Sequence, residues 1–141
     1  MRILLADDDK NFASILKKEL EEENFMVDVV ANGVEAVMNF IGKAYDFLLM
    51  DLKMPGLSGV DALKIIKKLK PDTPCITFSG KAGPAERAEA VECGAMSCLQ
   101  KPFAISQLKE EIRNHISQIE GVISAPGMIG GSQNKVFLEP N

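Results

Sequence analysis

The stretch Phe47-Leu48-Leu49-Met50-Asp51 reads as a strand that is apolar along its length and ends in an acid. A half-exposed strand alternates apolar and polar residues. One without that alternation is covered on both faces, as in a parallel sheet under helices. The pattern recurs outward in both directions. Upstream, Ile3-Leu4-Leu5-Ala6 runs into Asp7-Asp8-Asp9. Downstream, Cys75-Ile76-Thr77-Phe78 ends at Ser79, and Ala95 to Gln100 ends at Lys101-Pro102. Val27 and Val29 supply a strand of mixed character between the first two. Helical spacing fills the intervals: Phe12, Ile15, Leu16 and Leu20; then Val34, Val37, Met38 and Ile41; then Val60, Leu63, Ile66 and Leu69. Pro84 to Cys93 follows, stopped by Gly94, and Ile105, Leu108, Ile112, Ile116 and Ile119 form a last stripe. Five strand–helix units over residues 1–119 predict an open, doubly wound α/β domain. Residues 120–141 are rich in Gly, Ser and Pro around a short apolar Val136-Phe137-Leu138, and read as a linker or tail.

Composition agrees with one globular domain. The chain has 141 residues, 46% hydrophobic and 26% charged, which excludes a disordered or collagen-like chain. A formal net charge of −4 argues against nucleic acid as a direct partner. Cys75, Cys93 and Cys98 form no CxxC pair, so neither a disulfide framework nor a zinc ribbon is expected. They read as small buried hydrophobes in a reducing compartment. No signal peptide opens the sequence, and its apolar runs are too short to span a bilayer. The expectation is a cytoplasmic protein with no membrane partner.

In open α/β sheets ligands bind outside the carboxyl ends of the strands. Asp7, Asp8 and Asp9 stand at the first such end, Asp51 at the third, Ser79 at the fourth and Lys101 at the fifth. Asp9 suits a cap for the helix that follows. Asp51 does not, because a loop separates it from the helix at Val60. Carboxylates converging in one crevice repel each other and call for a hard cation; oxygen ligands alone suit Mg2+. No His/Cys cluster supports zinc, and the single histidine, His115, is expected to face solvent. An acid beside Mg2+, with a lysine and a hydroxyl close by, is equipment for phosphoryl transfer to aspartate.

At these residues the chain resembles the receiver domain of two-component response regulators, of the chemotaxis-regulator kind. The motifs that carry the resemblance are Ile3 to Asp9, Asp51-Leu52-Lys53-Met54-Pro55-Gly56-Leu57-Ser58-Gly59, Phe78-Ser79-Gly80 and Lys101-Pro102-Phe103, in family order and spacing. The resemblance implies a flavodoxin-like (βα)5 three-layer sandwich with a five-stranded parallel sheet. It implies a signalling phosphoacceptor, not an enzyme acting on an outside substrate, with Asp51 taking phosphate from a sensor histidine kinase or phosphotransfer protein. Asp8 would bind Mg2+ directly, Asp7 mainly through water, Asp51 beside them and Lys53 through its backbone carbonyl. Ser79 would hydrogen-bond the phosphoryl group, Lys101 would pair with it, and the Lys101–Pro102 peptide would be cis. Lys53 and Lys81 would flank the site. The family also implies kinase docking near the first helix, and a homodimer through the helix 4, strand 5, helix 5 face. Where the family usually places a switching Tyr or Phe, three residues before the lysine, this chain has Cys98.

Three other readings compete. An aspartyl-phosphate hydrolase of the haloacid dehalogenase type needs a second Asp two residues after the nucleophile, where Lys53 stands. A flavodoxin-like cofactor carrier needs a phosphate loop after the first strand, where the three aspartates would repel a phosphate. A degenerate scaffold receiver would lack some of the five site residues. Residues 120–141 hold no helix-turn-helix or other effector, so the signal would pass to a partner or a downstream output domain.

Overall fold

This computed structural model describes residues 1–80 and 82–128. In chain order the elements are β1 (Arg2–Ala6), α1 (Lys10–Glu21), β2 (Met26–Val30), α2 (Gly33–Gly42), β3 (Phe47–Asp51), α3 (Gly59–Leu69), β4 (Cys75–Ser79), α4 (Pro84–Glu92), β5 (Ser97–Gln100) and α5 (Ile105–Met128). Each of the first three helices starts at a side-chain cap. Asp9 accepts from the Phe12 N–H at 3.1 Å, Asn32 from Glu35 at 2.8 Å and Ser58 from Asp61 at 3.2 Å. α4 instead opens on Pro84, whose missing N–H is no loss in a first turn.

All strand pairs are parallel and the sheet order is β2-β1-β3-β4-β5. β3 and β4 are buried at every residue and β1 at all but Arg2. β2 and β5 are the edges and have mixed burial, which is why their sequences are the least apolar of the five. One face of the sheet carries Leu4, Ala6, Leu48, Met50 and Cys75, packed with Ala36 and Phe40 of α2 and Val60, Leu63 and Ile66 of α3. Strand residues of opposite parity point to the other face. There Phe78 meets Phe12 of α1 edge-on, with ring centroids 5.8 Å apart. Helices therefore cover both faces, as the doubly wound reading expects.

Met1–Phe103 forms one compact unit, and α5 belongs to a second that begins at Ala104. α5 buries Leu108 and Ile112 and runs to Met128, past the expected boundary at 119. Its sequence continues the apolar spacing there with Val122 and Ile123. His115 is half-buried rather than solvent-facing, because it follows Ile112 by three residues on the same stripe. The rest of the expected tail, with Val136-Phe137-Leu138, lies outside the described residues, as does Lys81.

Three helix faces depart from the sequence reading. α2 buries Gly33, Ala36 and Phe40, while Val34, Met38 and Ile41 of the expected stripe are 54%, 62% and 63% exposed. Small residues decide this: a Cβ on Gly33 would run into the carbonyl of Leu57, so the Gly33–Ala36 side is the one that comes close. Ile15 of α1 and Leu69 of α3 are exposed as well. β5 begins two residues later than expected, at Ser97.

Candidate functional site

The carboxyl ends of β1, β3, β4 and β5 bring four of the expected residues together. Asp7 follows β1, Asp51 closes β3, Ser79 closes β4 and Lys101 follows β5. Asp7, Asp51 and Ser79 are buried, whereas Asp8 is exposed. Carboxylate oxygens of Asp7, Asp8 and Asp51 all lie within 4.8 Å of one another. The Lys101 ammonium bridges two of these acids, donating to Asp7 Oδ2 at 2.7 Å and to Asp51 Oδ2 at 3.2 Å.

Local backbone fixes each acid. The Asp9 N–H donates to Asp7 Oδ1 at 2.9 Å, and the Lys53 N–H to Asp51 Oδ1 at 3.1 Å. Gly59 allows α3 to start against the end of β3. A Cβ there would meet the carbonyl of Asp51 and, at 2.6 Å, the Cα of Leu52. The Ser79 hydroxyl donates to the Ala82 carbonyl at 3.3 Å, and the Lys101 N–H to the Ser79 carbonyl at 2.8 Å. The Lys101–Pro102 peptide is cis.

Charge in the crevice is unevenly compensated. Burial pushes the Asp7 carboxyl above its ordinary value and the Asp51 charge adds to this; the Lys101 and Asp9 donors oppose it without cancelling it. Burial pulls the Lys101 ammonium down, but its hydrogen bond to Asp7 and the charges of both acids raise it overall. Three carboxylates facing one ammonium, all with oxygen donors and one of them open to solvent, fit a hard divalent cation.

Sequence reasoning missed Phe12 as part of this site. Its ring lies 4.3 Å beneath the Lys101 nitrogen and edge-on to Phe78 and Phe103, which stack on each other at 5.1 Å. The cluster gives the lysine stem and ammonium a fixed aromatic floor. In the sequence Phe12 reads as one more position of the α1 stripe, and nothing in its spacing marks it otherwise. The Lys53 side chain turns away from the acids to pair with Glu86 on α4 at 3.2 Å. Cys98 lies within β5 opposite Thr77, partly buried against the α2–α3 side of the sheet.

A doubly wound parallel sheet that gathers acids and a lysine at its strand ends defines a flavodoxin-like α/β domain with an acidic crevice. Residues 3–113 match the response regulator receiver domain, and the chain belongs to that family of two-component signal transduction. The transcriptional regulatory protein CpxR of Escherichia coli K12 is 37% identical over 112 residues, which cover 79% of this chain and 47% of CpxR. The receiver domain of the Francisella response regulator 1452 superposes with a TM-score of 0.76 at 31% identity, covering 84% of this chain and 98% of that one. TrrA of Thermotoga maritima, solved in complex with Mg(2+)-BeF, gives a TM-score of 0.72 at 34% identity, covering 80% and 96%. The chain spans about half the length of the curated relatives it matches. Among the described residues no helix is long and apolar enough to cross a membrane.

Proposed function

We propose that this chain accepts a phosphoryl group on Asp51 from a histidine kinase or phosphotransfer protein and signals by a change of conformation. The observation that carries this reading is the placement of Asp51: buried, 3.2 Å from Lys101, and within 4.8 Å of two further acids. A carboxylate oxygen of Asp51 attacks phosphorus, an O–P bond forms, and the bond to the donor nitrogen breaks with its electron pair left on nitrogen. Lys101, already bonded to Asp51, stays beside the arriving oxygens and offsets their charge. Ser79 exchanges its bond to the Ala82 carbonyl for one to a phosphoryl oxygen. Asp8, Asp51 and the Lys53 carbonyl would hold Mg2+, with Asp7 mainly through water. When bound, Mg2+ supplies the positive charge that lets three carboxylates and a phosphoryl group share one crevice.

TrrA, solved in complex with Mg(2+)-BeF, supports the metal assignment. With Cys98 in place of an aromatic switch, the change at Ser79 reaches β5 through its pairing with β4. We take residues 1–119 as the receiver, with 120–141 leading to a partner or output domain, in the cytoplasm. No direct binding of nucleic acid or membrane is assigned to the chain. Hydrolysis of outside substrates is disfavoured, because Lys53 occupies the place of the second acid.

The test is intact-protein mass spectrometry after incubation with acetyl phosphate and Mg2+. One phosphate adduct is expected in the wild type and none in Asp51→Asn or in EDTA. An adduct that persists in Asp51→Asn would sink the assignment.

A further inference from the structure

The outward stripe of α2 and the neighbouring edge of α3 form one exposed apolar surface. On α3, Lys64 reaches Glu89 of α4 at 2.7 Å, so that flank faces α4. Ile65 and Leu69 lie on the opposite flank, 39% and 50% exposed. On α2, Asn39 lies beside Tyr45, which bonds Asp28 of edge strand β2, so Val34, Met38 and Ile41 flank the other side. α2 and α3 pack side by side. Their exposed apolar side chains therefore border one another across the α2–α3 contact, and a contiguous exposed apolar patch is a mark of an interface. Of the helix 4, strand 5, helix 5 face where the resemblance implies a dimer, α4 and the β5 edge expose Val91 and Met96 as their large apolar residues among the described residues.

The charges around this patch say what fits it. α2 and α3 each follow a strand of a parallel sheet and lead back to the next, so both run antiparallel to the strands and parallel to each other. Acid sits in their first turns, at Glu35 and Asp61, but base closes α3 alone, at Lys67 and Lys68, because α2 has none in its last turn and Lys43 just after it pairs with Asp28. A second copy turned about a two-fold axis across the patch sets Asp61 at the start of each α3 against Lys68 at the end of the other, twice. We propose that the α2–α3 face is a self-association surface on which two copies pack as an antiparallel four-helix layer around Val34, Met38, Ile41, Ile65 and Leu69. It needs no phosphorylation, because both its apolar centre and its charge rim are present in this structure.

The test is sedimentation equilibrium of the full chain over a concentration series. The wild type is expected to dimerise reversibly. Met38→Lys, a surface change, should weaken the dimer about tenfold or more while leaving the circular dichroism spectrum and the acetyl phosphate adduct unchanged. Asp61→Lys and Lys68→Asp should each weaken it by setting like charges together. The double variant should restore it, since both members of each cross-copy pair are then reversed. A wild type that is monomeric at every concentration overturns the proposal and leaves the face to another partner. A dimer indifferent to Met38→Lys but lost in Val91→Lys overturns it in favour of the α4–β5 side. Failure of the double variant to recover overturns the antiparallel arrangement. None of these outcomes depends on whether Asp51 takes phosphate.

Discussion

Asp7 is the residue at which fold and function oppose each other most directly. Its carboxylate is 2% exposed, shares Lys101 with Asp51, and is crowded by two other acids. One ammonium cannot neutralise three carboxylates, so the crevice carries an excess of negative charge that a divalent cation relieves. Asp7→Asn removes one of the repelling charges and keeps the size and an acceptor for the Asp9 N–H. In EDTA at neutral pH this variant should unfold a few degrees above the wild type. With Mg2+ the order should reverse. Cation that binds only the folded state stabilises it by about 2.7 kcal/mol at a hundredfold excess over its dissociation constant. Asp7→Asn should gain much less than the wild type. Thermal unfolding with and without Mg2+ decides the matter; a metal-free Asp7→Asn that melts below the wild type would contradict this account of the charge balance.

At the scale of elements, the junction of β3 and α3 positions the acceptor. Gly59 stands where any Cβ would strike the Asp51 carbonyl and the Leu52 Cα, both main-chain atoms that cannot swing aside. Gly59→Ala should therefore cost about 1–3 kcal/mol by forced displacement of packed backbone. It should also slow phosphorylation by acetyl phosphate, because the displaced strand end carries Asp51. Urea unfolding and the rate of adduct formation measure the two effects; unchanged rates in a destabilised variant would separate the junction from the chemistry. The strand-end residues were legible in the sequence because chain order places them: an apolar run followed by Asp51, Ser79 or Lys101 needs no side-chain geometry to be read. Helix faces were less legible. On α2 the larger residues Val34, Met38 and Ile41 suggested the buried side, yet Gly33 and Ala36 permit the close approach and Phe40 fills the core. Hydrophobic spacing marks a stripe but does not say which of two stripes is inside when both are apolar. Phe12 was missed for a related reason, since its contact with Lys101 joins positions far apart in the chain.

At the scale of the whole sheet, the order β2-β1-β3-β4-β5 leaves β2 as an edge held by few apolar contacts. A polar cluster centred on Asp28 ties it in. The Tyr45 hydroxyl donates to Asp28 Oδ2 at 2.7 Å from the segment between α2 and β3, and Arg2 of β1 and Lys43 approach the same oxygen at 3.4 Å. This cluster links β1, β2 and the segment that follows α2, so loosening it loosens the edge and the helix that leads into that segment. The Tyr45 hydrogen bond, with Lys43 and Arg2 adding, holds the Asp28 carboxyl below its ordinary 3.8 despite partial burial. A carboxyl lowered by folding stabilises the folded state fully above its unfolded value, and that contribution disappears as pH falls through the folded one. Asp28→Asn should therefore be less stable than the wild type at neutral pH, by less than about 1 kcal/mol for so solvent-screened a group. The gap should close in acid, below 3.8. Tyr45→Phe, which removes a hydroxyl bonded to a charge and leaves the ring packed on Phe40, should cost about 1–2 kcal/mol at neutral pH. Combining it with Asp28→Asn should cost less than the two single changes together, because both act on the same hydrogen bond, one by removing its donor and the other by removing the charge on its acceptor. Urea unfolding of the four proteins at neutral and acid pH tests all of this; a wild-type advantage over Asp28→Asn that persists unchanged into strong acid would show that the edge is held by packing and not by this charge.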